Sequence, residues 1–146
     1  MKKLLVAVDF SRATPKVIEQ AKRLALSSNA EIKLIHIVAP EPDFIGDDVG
    51  PQVIRDLKAQ KYRERHKEIQ QIADSMKSEG IKVTPILMQG VTVDSIIKEQ
   101  KRFDADLIII GSHGHGAMYN LLMGSVVEGV IRESKIPVLV VPVNND

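Results

Sequence analysis

The chain has 146 residues, of which 20 are basic and 19 acidic, for a net charge of +1. That length sustains one domain around one core, and the even balance excludes the strong field of a nucleic-acid or anionic-membrane binder. Cysteine is absent and aromatics are 3%, which excludes disulfides, thiol catalysis and a base-stacking platform, and fits a reducing cytoplasmic setting.

Met1-Lys2-Lys3 and the apolar run after it imitate a signal peptide. Asp9 stops the run short of the ~7–15 residues a signal core needs, so Lys3 to Asp9 reads as a first strand. Its continuous apolar character suits a central parallel strand buried on both faces. No apolar run approaches the ~20 residues of a membrane helix.

Thr14-Pro15 reads as a helix start, with Thr14 as N-cap and Pro15 at the first helical position. Val17, Ile18, Ala21, Leu24 and Ala25 then fall at helical spacing. Ile32 to Val38 is a second strand, ended by Pro40 and Pro42 in a loop that reaches Gly50. A long second helix runs from Pro51 to about Lys77, with Gly80 as its C-terminal stop. Its charged middle, Lys58 to Glu68, reads as a solvated face, with an unidentified protein partner as the other reading.

Ile81 to Met88 is a third strand, and Pro85 inside it places it at a sheet edge, because proline cannot donate to a ladder. Thr92 opens a third helix to about Lys101, Leu107 to Ile110 is a fourth strand, and Val126 to Ile131 lies in a fourth helix. Pro137 to Val143 is the fifth strand. This strand–helix alternation predicts a single α/β domain, with an open parallel sheet covered by helices on both faces.

The fourth strand runs directly into Gly111-Ser112-His113-Gly114-His115-Gly116, and Gly124-Ser125 opens the following helix. A glycine-rich loop between a strand end and a helix N-terminus suits an anion, because backbone N–H groups there lack intrahelical partners. The spacing is neither a Walker loop nor a dinucleotide fingerprint; Tyr119 stands where the latter needs its third glycine. Ser125 and Glu128 also match a capping box, a purely structural explanation for the serine. His113 and His115 lack the companions of a metal site, while His36 reads as structural and His66 as solvated.

Gly111, Gly114, Gly124 and Ser125 together form G-x2-G-x9-G-S, and on these residues the sequence resembles the ATP-binding branch of the universal stress protein family. The resemblance extends along the whole chain. It implies a five-stranded Rossmann-like sheet of the adenine nucleotide alpha hydrolase type, in the order 3-2-1-4-5. In that order strands one and four form a topological switch point with a crevice at their carboxyl ends. Asp9 there suits ribose hydroxyls or a Mg²⁺ ion carried with ATP, and Val38 and Ala39 suit the face of a base. The resemblance assigns Ala7 and Asp9 to ribose and base, Val38 to adenine, and Ile110 and Gly111 to the floor. It assigns Gly114, Gly124, Ser125, Val126 and Val127 to the phosphates.

In many members of the family an Arg or Lys stands near the position of His115, so histidine makes the charge there depend on pH. The apolar strand Val138-Leu139-Val140-Val141 at an open edge invites pairing, and the family pairs its last strands into a homodimer. The expected function is a homodimeric, ATP-dependent stress-response switch with little hydrolysis, since no Walker lysine or arginine finger is evident. The alternatives are a weak ATP hydrolase or phosphoryl or adenylyl transferase, and a nucleotide-free scaffold. A Gly114→Val change is expected to block phosphate approach with the fold intact.

Overall fold

A computed structural model describes residues 1–38, 51–114 and 123–143. Ala39, the loop up to Gly50, His115, Gly116, Tyr119 and the tail from Asn144 lie outside the described residues. The elements are β1 (Lys3–Ala7), α1 (Thr14–Ser28), β2 (Glu31–Val38), α2 (Pro51–Ser78), β3 (Val83–Gln89), α3 (Thr92–Phe103), β4 (Leu107–Gly111), α4 (Ser125–Glu133) and β5 (Val138–Val141). They build one five-stranded sheet in the order β3-β2-β1-β4-β5. Every pairing is parallel. The proline-bearing β3 is an edge strand as expected, with Pro85 opposite Leu34.

Successive strand residues face opposite sides of the sheet, and each side has its own core. Leu4, Val6, Leu34 and Ile109 meet Val17, Ala21, Ile69 and Ala73 of α1 and α2. Leu5, Ile35, Ile108 and Ile110 meet Ile96, Val127 and Val130 of α3 and α4. Burying each such aliphatic side chain stabilises the fold by about 1.5–3 kcal/mol. This is why the central strands read as unbroken apolar runs.

Two expectations change at the carboxyl end of β1. The strand ends at Ala7, and the chain turns through Asp9, whose Oδ1 accepts the Ser11 N–H at 2.9 Å. Phe10 takes the left-handed conformation there, with φ 60°. Thr14 is not the cap of α1. Ala13 holds that position without a side-chain cap bond, and Thr14 is already helical. Ser11 takes over the local work: its hydroxyl accepts the Ala13 N–H at 3.2 Å and its carbonyl the Thr14 N–H at 3.1 Å. Gly80 closes α2 at φ +86°, a left-handed turn in which glycine avoids the Cβ penalty.

Candidate nucleotide site

The β1–β4 pairing, with Leu4 opposite Leu107 and Val6 opposite Ile109, sets two strand ends side by side. Their connections depart to opposite faces, and a cavity of about 370 Å³ opens above them. The β1–α1 turn contributes Asp9, and the glycine loop contributes Gly111, Ser112, His113 and Gly114. Gly124, Ser125, Val126 and Val127 bring in the N-terminus of α4. One wall is apolar, from Ala7, Ile35, Ile37, Ile96 and Ile110.

Of the described residues assigned to the nucleotide, all line this cavity except Val38. The β2 wall consists of Ile35, His36 and Ile37 instead. Ile35 and Ile37 belong to the same core face as Ala7 and Ile110, and Val38 is the last residue of β2, beyond them. The register itself carried the signal, since Ala7 stands directly opposite Ile35.

The glycine loop is tied at both ends by a residue the sequence reading left without a role. Ser112 is buried, and its carbonyl accepts the Gly124 N–H at 2.8 Å. Its own N–H donates to the Val141 carbonyl at 2.9 Å, and its hydroxyl accepts the Val143 N–H at 3.0 Å. The same hydroxyl lies 3.0 Å from His113 Nδ1. So Ser112 clamps the loop to β5 and to the start of α4.

The capping box does not form. Gly124 is the N-cap of α4, with φ −76° and ψ 164° and no side-chain cap bond, so Ser125 is the first helical residue. Its hydroxyl is therefore not spent on capping, and it lines the cavity. Thr92 likewise is no cap, since Val91 precedes α3 without a side-chain bond, and Thr92 also lines the cavity.

The glycines differ in what they allow. A Cβ on Gly114 would strike the Asp9 carboxylate, so Gly114→Val would displace Asp9 as well as fill the loop. A Cβ on Gly111 would come within 2.9 Å of Ala13 Cβ, so glycine lets α1 pack against the loop. A Cβ on Gly124 would meet nothing closer than 3.6 Å.

His36 is structural, as expected, but it also borders the cavity. Its Nδ1–H donates to the Val8 carbonyl at 2.8 Å, and its ring meets Phe10 edge-on with centroids 4.6 Å apart. Arg65 of α2 lies over the Phe10 ring, 5.2 Å from its centroid. Burial holds the His36 pKa below its ordinary 6.5, outweighing the Val8 bond, and Arg65 adds to the depression. The unfolded ring therefore takes its proton at a higher pH than the folded one. Stability contributed by neutral His36 is present above 6.5 and is lost as the pH falls through that value toward the folded pKa. The melting temperature is expected to fall more steeply from about pH 7 to about pH 5 in the native protein than in His36→Gln. Equal slopes in the two proteins would remove His36 as the cause.

The sequence model of the universal stress protein family matches residues 1–142. The chain belongs to the universal stress protein family. Among its relatives, Universal stress protein MJ0577 of Methanocaldococcus jannaschii aligns along 99% of this chain and 96% of its own length at 28% identity. The solved structure of MJ0577 superposes with a TM-score of 0.84 at 30% identity, covering 99% of this chain and 98% of that one. A universal stress protein solved in complex with cAMP shares the fold at a TM-score of 0.71 and 22% identity, over 97% of this chain and 96% of its own. One from Archaeoglobus fulgidus in complex with dAMP does so at 0.65 and 19%, over 97% and 98%. Among the described residues no group of three or more His, Cys, Asp or Glu side chains is placed to hold a metal. No described helix is long and apolar enough to cross a membrane.

Proposed function

We propose that this member of the family is a regulatory protein that binds ATP in the crevice above β1 and β4 and holds it with little turnover. The observation that carries the reading is the pairing, in one cavity, of an apolar wall with the N-terminus of α4. Ala7, Ile35, Ile37 and Ile110 suit a flat base, and Asp9 suits ribose hydroxyls. Gly111, Gly114, Gly124, Ser125, Val126 and Val127 suit the phosphates, whose charge the helix N-terminus favours. Two relatives in fold carry cAMP and dAMP, ligands with the same base. Mg²⁺ enters this reading only as an ion brought in with the triphosphate, with Asp9 as its protein ligand in place of the ribose contact.

The regulatory form is a homodimer. β5 ends the sheet, and Val138, Leu139 and Val140 are only half-buried in the single chain. A second copy that pairs along this edge would cover an apolar strand otherwise open to aggregation.

The test is to denature purified protein, identify any released nucleotide by mass spectrometry, and titrate ATP into stripped protein while following phosphate release. Tight binding with negligible release is the expected result. Sustained release would favour the hydrolase or transferase, and no binding would favour the scaffold. Asp9→Ala is expected to weaken ATP by roughly 10-fold through lost hydrogen bonds to ribose. Light scattering should find its dimer unchanged, and a monomeric Asp9→Ala protein would contradict the role given to Asp9.

A further inference from the structure

Thr14 is 8% exposed, and its Oγ1 has no hydrogen-bond partner among the described residues. Buried hydroxyls are almost always paired, and one left unpaired is costly. Thr14 stands in the first turn of α1 and lines the same cavity as the glycine loop. Its capping role has passed to Ser11, so no local duty explains the hydroxyl.

The surroundings favour an anionic partner. α1 is 15 residues long and has no acidic residue in its first turn, the Asp9 carboxylate standing in the turn before it. That turn packs on the loop, with Ala13 Cβ 2.9 Å from a Cβ built on Gly111. The apolar wall comes mainly from the other face of the sheet, with Ile35, Ile37 and Ile110 in the α3–α4 core, while Val17 belongs to the α1 core. Thr14 thus stands on the α1 side of the cavity, next in sequence to Ala13, which packs on the loop.

We propose that Thr14 Oγ1 is a ligand contact, donating a hydrogen bond to a phosphate oxygen of the bound nucleotide. The proposal rests on the nucleotide reading above and adds a second helix N-terminus to the phosphate site. The unpaired hydroxyl is then a cost of the free state that the ligand relieves. A hydrogen bond to a charged oxygen is stronger than a neutral one, so its loss is large enough to measure.

The experiment compares native protein, Thr14→Val and Thr14→Ser by calorimetric titration with ATP and with adenosine, together with melting of the stripped proteins. Thr14→Val is expected to bind ATP roughly 10-fold more weakly, to bind adenosine as the native protein does, and to melt no lower. Thr14→Ser, which keeps the hydroxyl, should retain ATP affinity. Unchanged ATP affinity in Thr14→Val, beside a native protein that binds ATP, overturns the contact alone. An equal loss for adenosine overturns the phosphate assignment. A lower melting temperature for stripped Thr14→Val means that the hydroxyl is already satisfied in the free protein, and also overturns it. A native protein that binds neither ligand overturns the nucleotide reading and this contact with it.

Discussion

Gly124→Val is expected to abolish ATP binding while the nucleotide-free fold survives. Gly124 precedes α4 with φ −76° and ψ 164°, extended backbone that valine adopts without strain. An added Cβ would sit in ordinary contact with its neighbours, 3.6 Å from His113 Cα and Ser112 O and 3.9 Å from the Gly114 nitrogen. Those neighbours are the inner rim of the loop. The valine methyl groups therefore fill the space between the loop and the α4 N-terminus, where the phosphates are proposed to sit. Displacing a phosphate forfeits at least two charge-assisted hydrogen bonds of ~1.5–3 kcal/mol each, or roughly 100-fold or more in affinity. Calorimetric titration of stripped protein checks the loss, and a melting curve near that of the native protein checks the fold. Affinity within about threefold of native would take the α4 N-terminus out of the site. Gly114→Val is a poorer probe, because its side chain strikes Asp9 and confounds two proposed contacts.

A large loss of stability is expected from a single change at Lys33. Glu99 of α3 is 1% exposed, and Lys33 of β2 reaches it at 3.2 Å. Arg102, one helical turn on, also meets Glu99, at 2.6 Å, but its side chain is 70% exposed. Lys33 lies 5.0 Å from the Phe103 centroid as well, so its ammonium is held by a carboxylate and a ring together. Lys33→Met leaves Glu99 buried with only the solvent-screened Arg102 for company. Breaking a buried pair on one side costs ~3–5 kcal/mol, and the remaining arginine sets the expectation at about 3 kcal/mol. For a domain of this size that lowers the melting temperature by roughly 10 °C. Arg102→Ala should cost under about 1 kcal/mol, as exposed pairs do. Lys33→Met combined with Glu99→Met should recover most of the loss, because no charge is then left buried. If the double variant melts as low as Lys33→Met, the loss comes from packing around Phe103 and not from the unpaired carboxylate.

Much of this protein is written locally. The unbroken apolar runs at Leu4–Val6 and Leu107–Ile110 announce central parallel strands, because both of their faces are buried. Pro85 alone is enough to put β3 at an edge, since the missing N–H is a property of that residue and of nothing around it. The spacing of Gly111, Gly114, Gly124 and Ser125 points to the family, and a model of that family matches nearly the whole chain. Each of these signals comes from residues close together in sequence, where covalent geometry and the helix or strand period decide the outcome.

What the sequence did not disclose depends on distance along the chain or on half a turn of backbone. Thr14-Pro15 and Ser125-x-x-Glu128 both carry the composition of helix starts, yet Ala13 and Gly124 hold the N-cap positions. A cap is set by the angle at which the preceding loop arrives, and tertiary contacts choose that angle. Ile37 and not Val38 stands on the cavity wall because the pairing of β1 with β2 sets how far along β2 the cavity reaches, with Ala7 opposite Ile35. Lys33 and Glu99 meet across 66 residues, and Ser112 and Val143 across 31, so no local pattern could have joined them. By itself the sequence determined the alternation of elements, the edge position of β3 and the loop able to hold an anion. Only the tertiary structure decided the strand register, the clamp on the loop and the burial of the Thr14 hydroxyl without a partner among the described residues, because each depends on segments that the chain brings together only when folded.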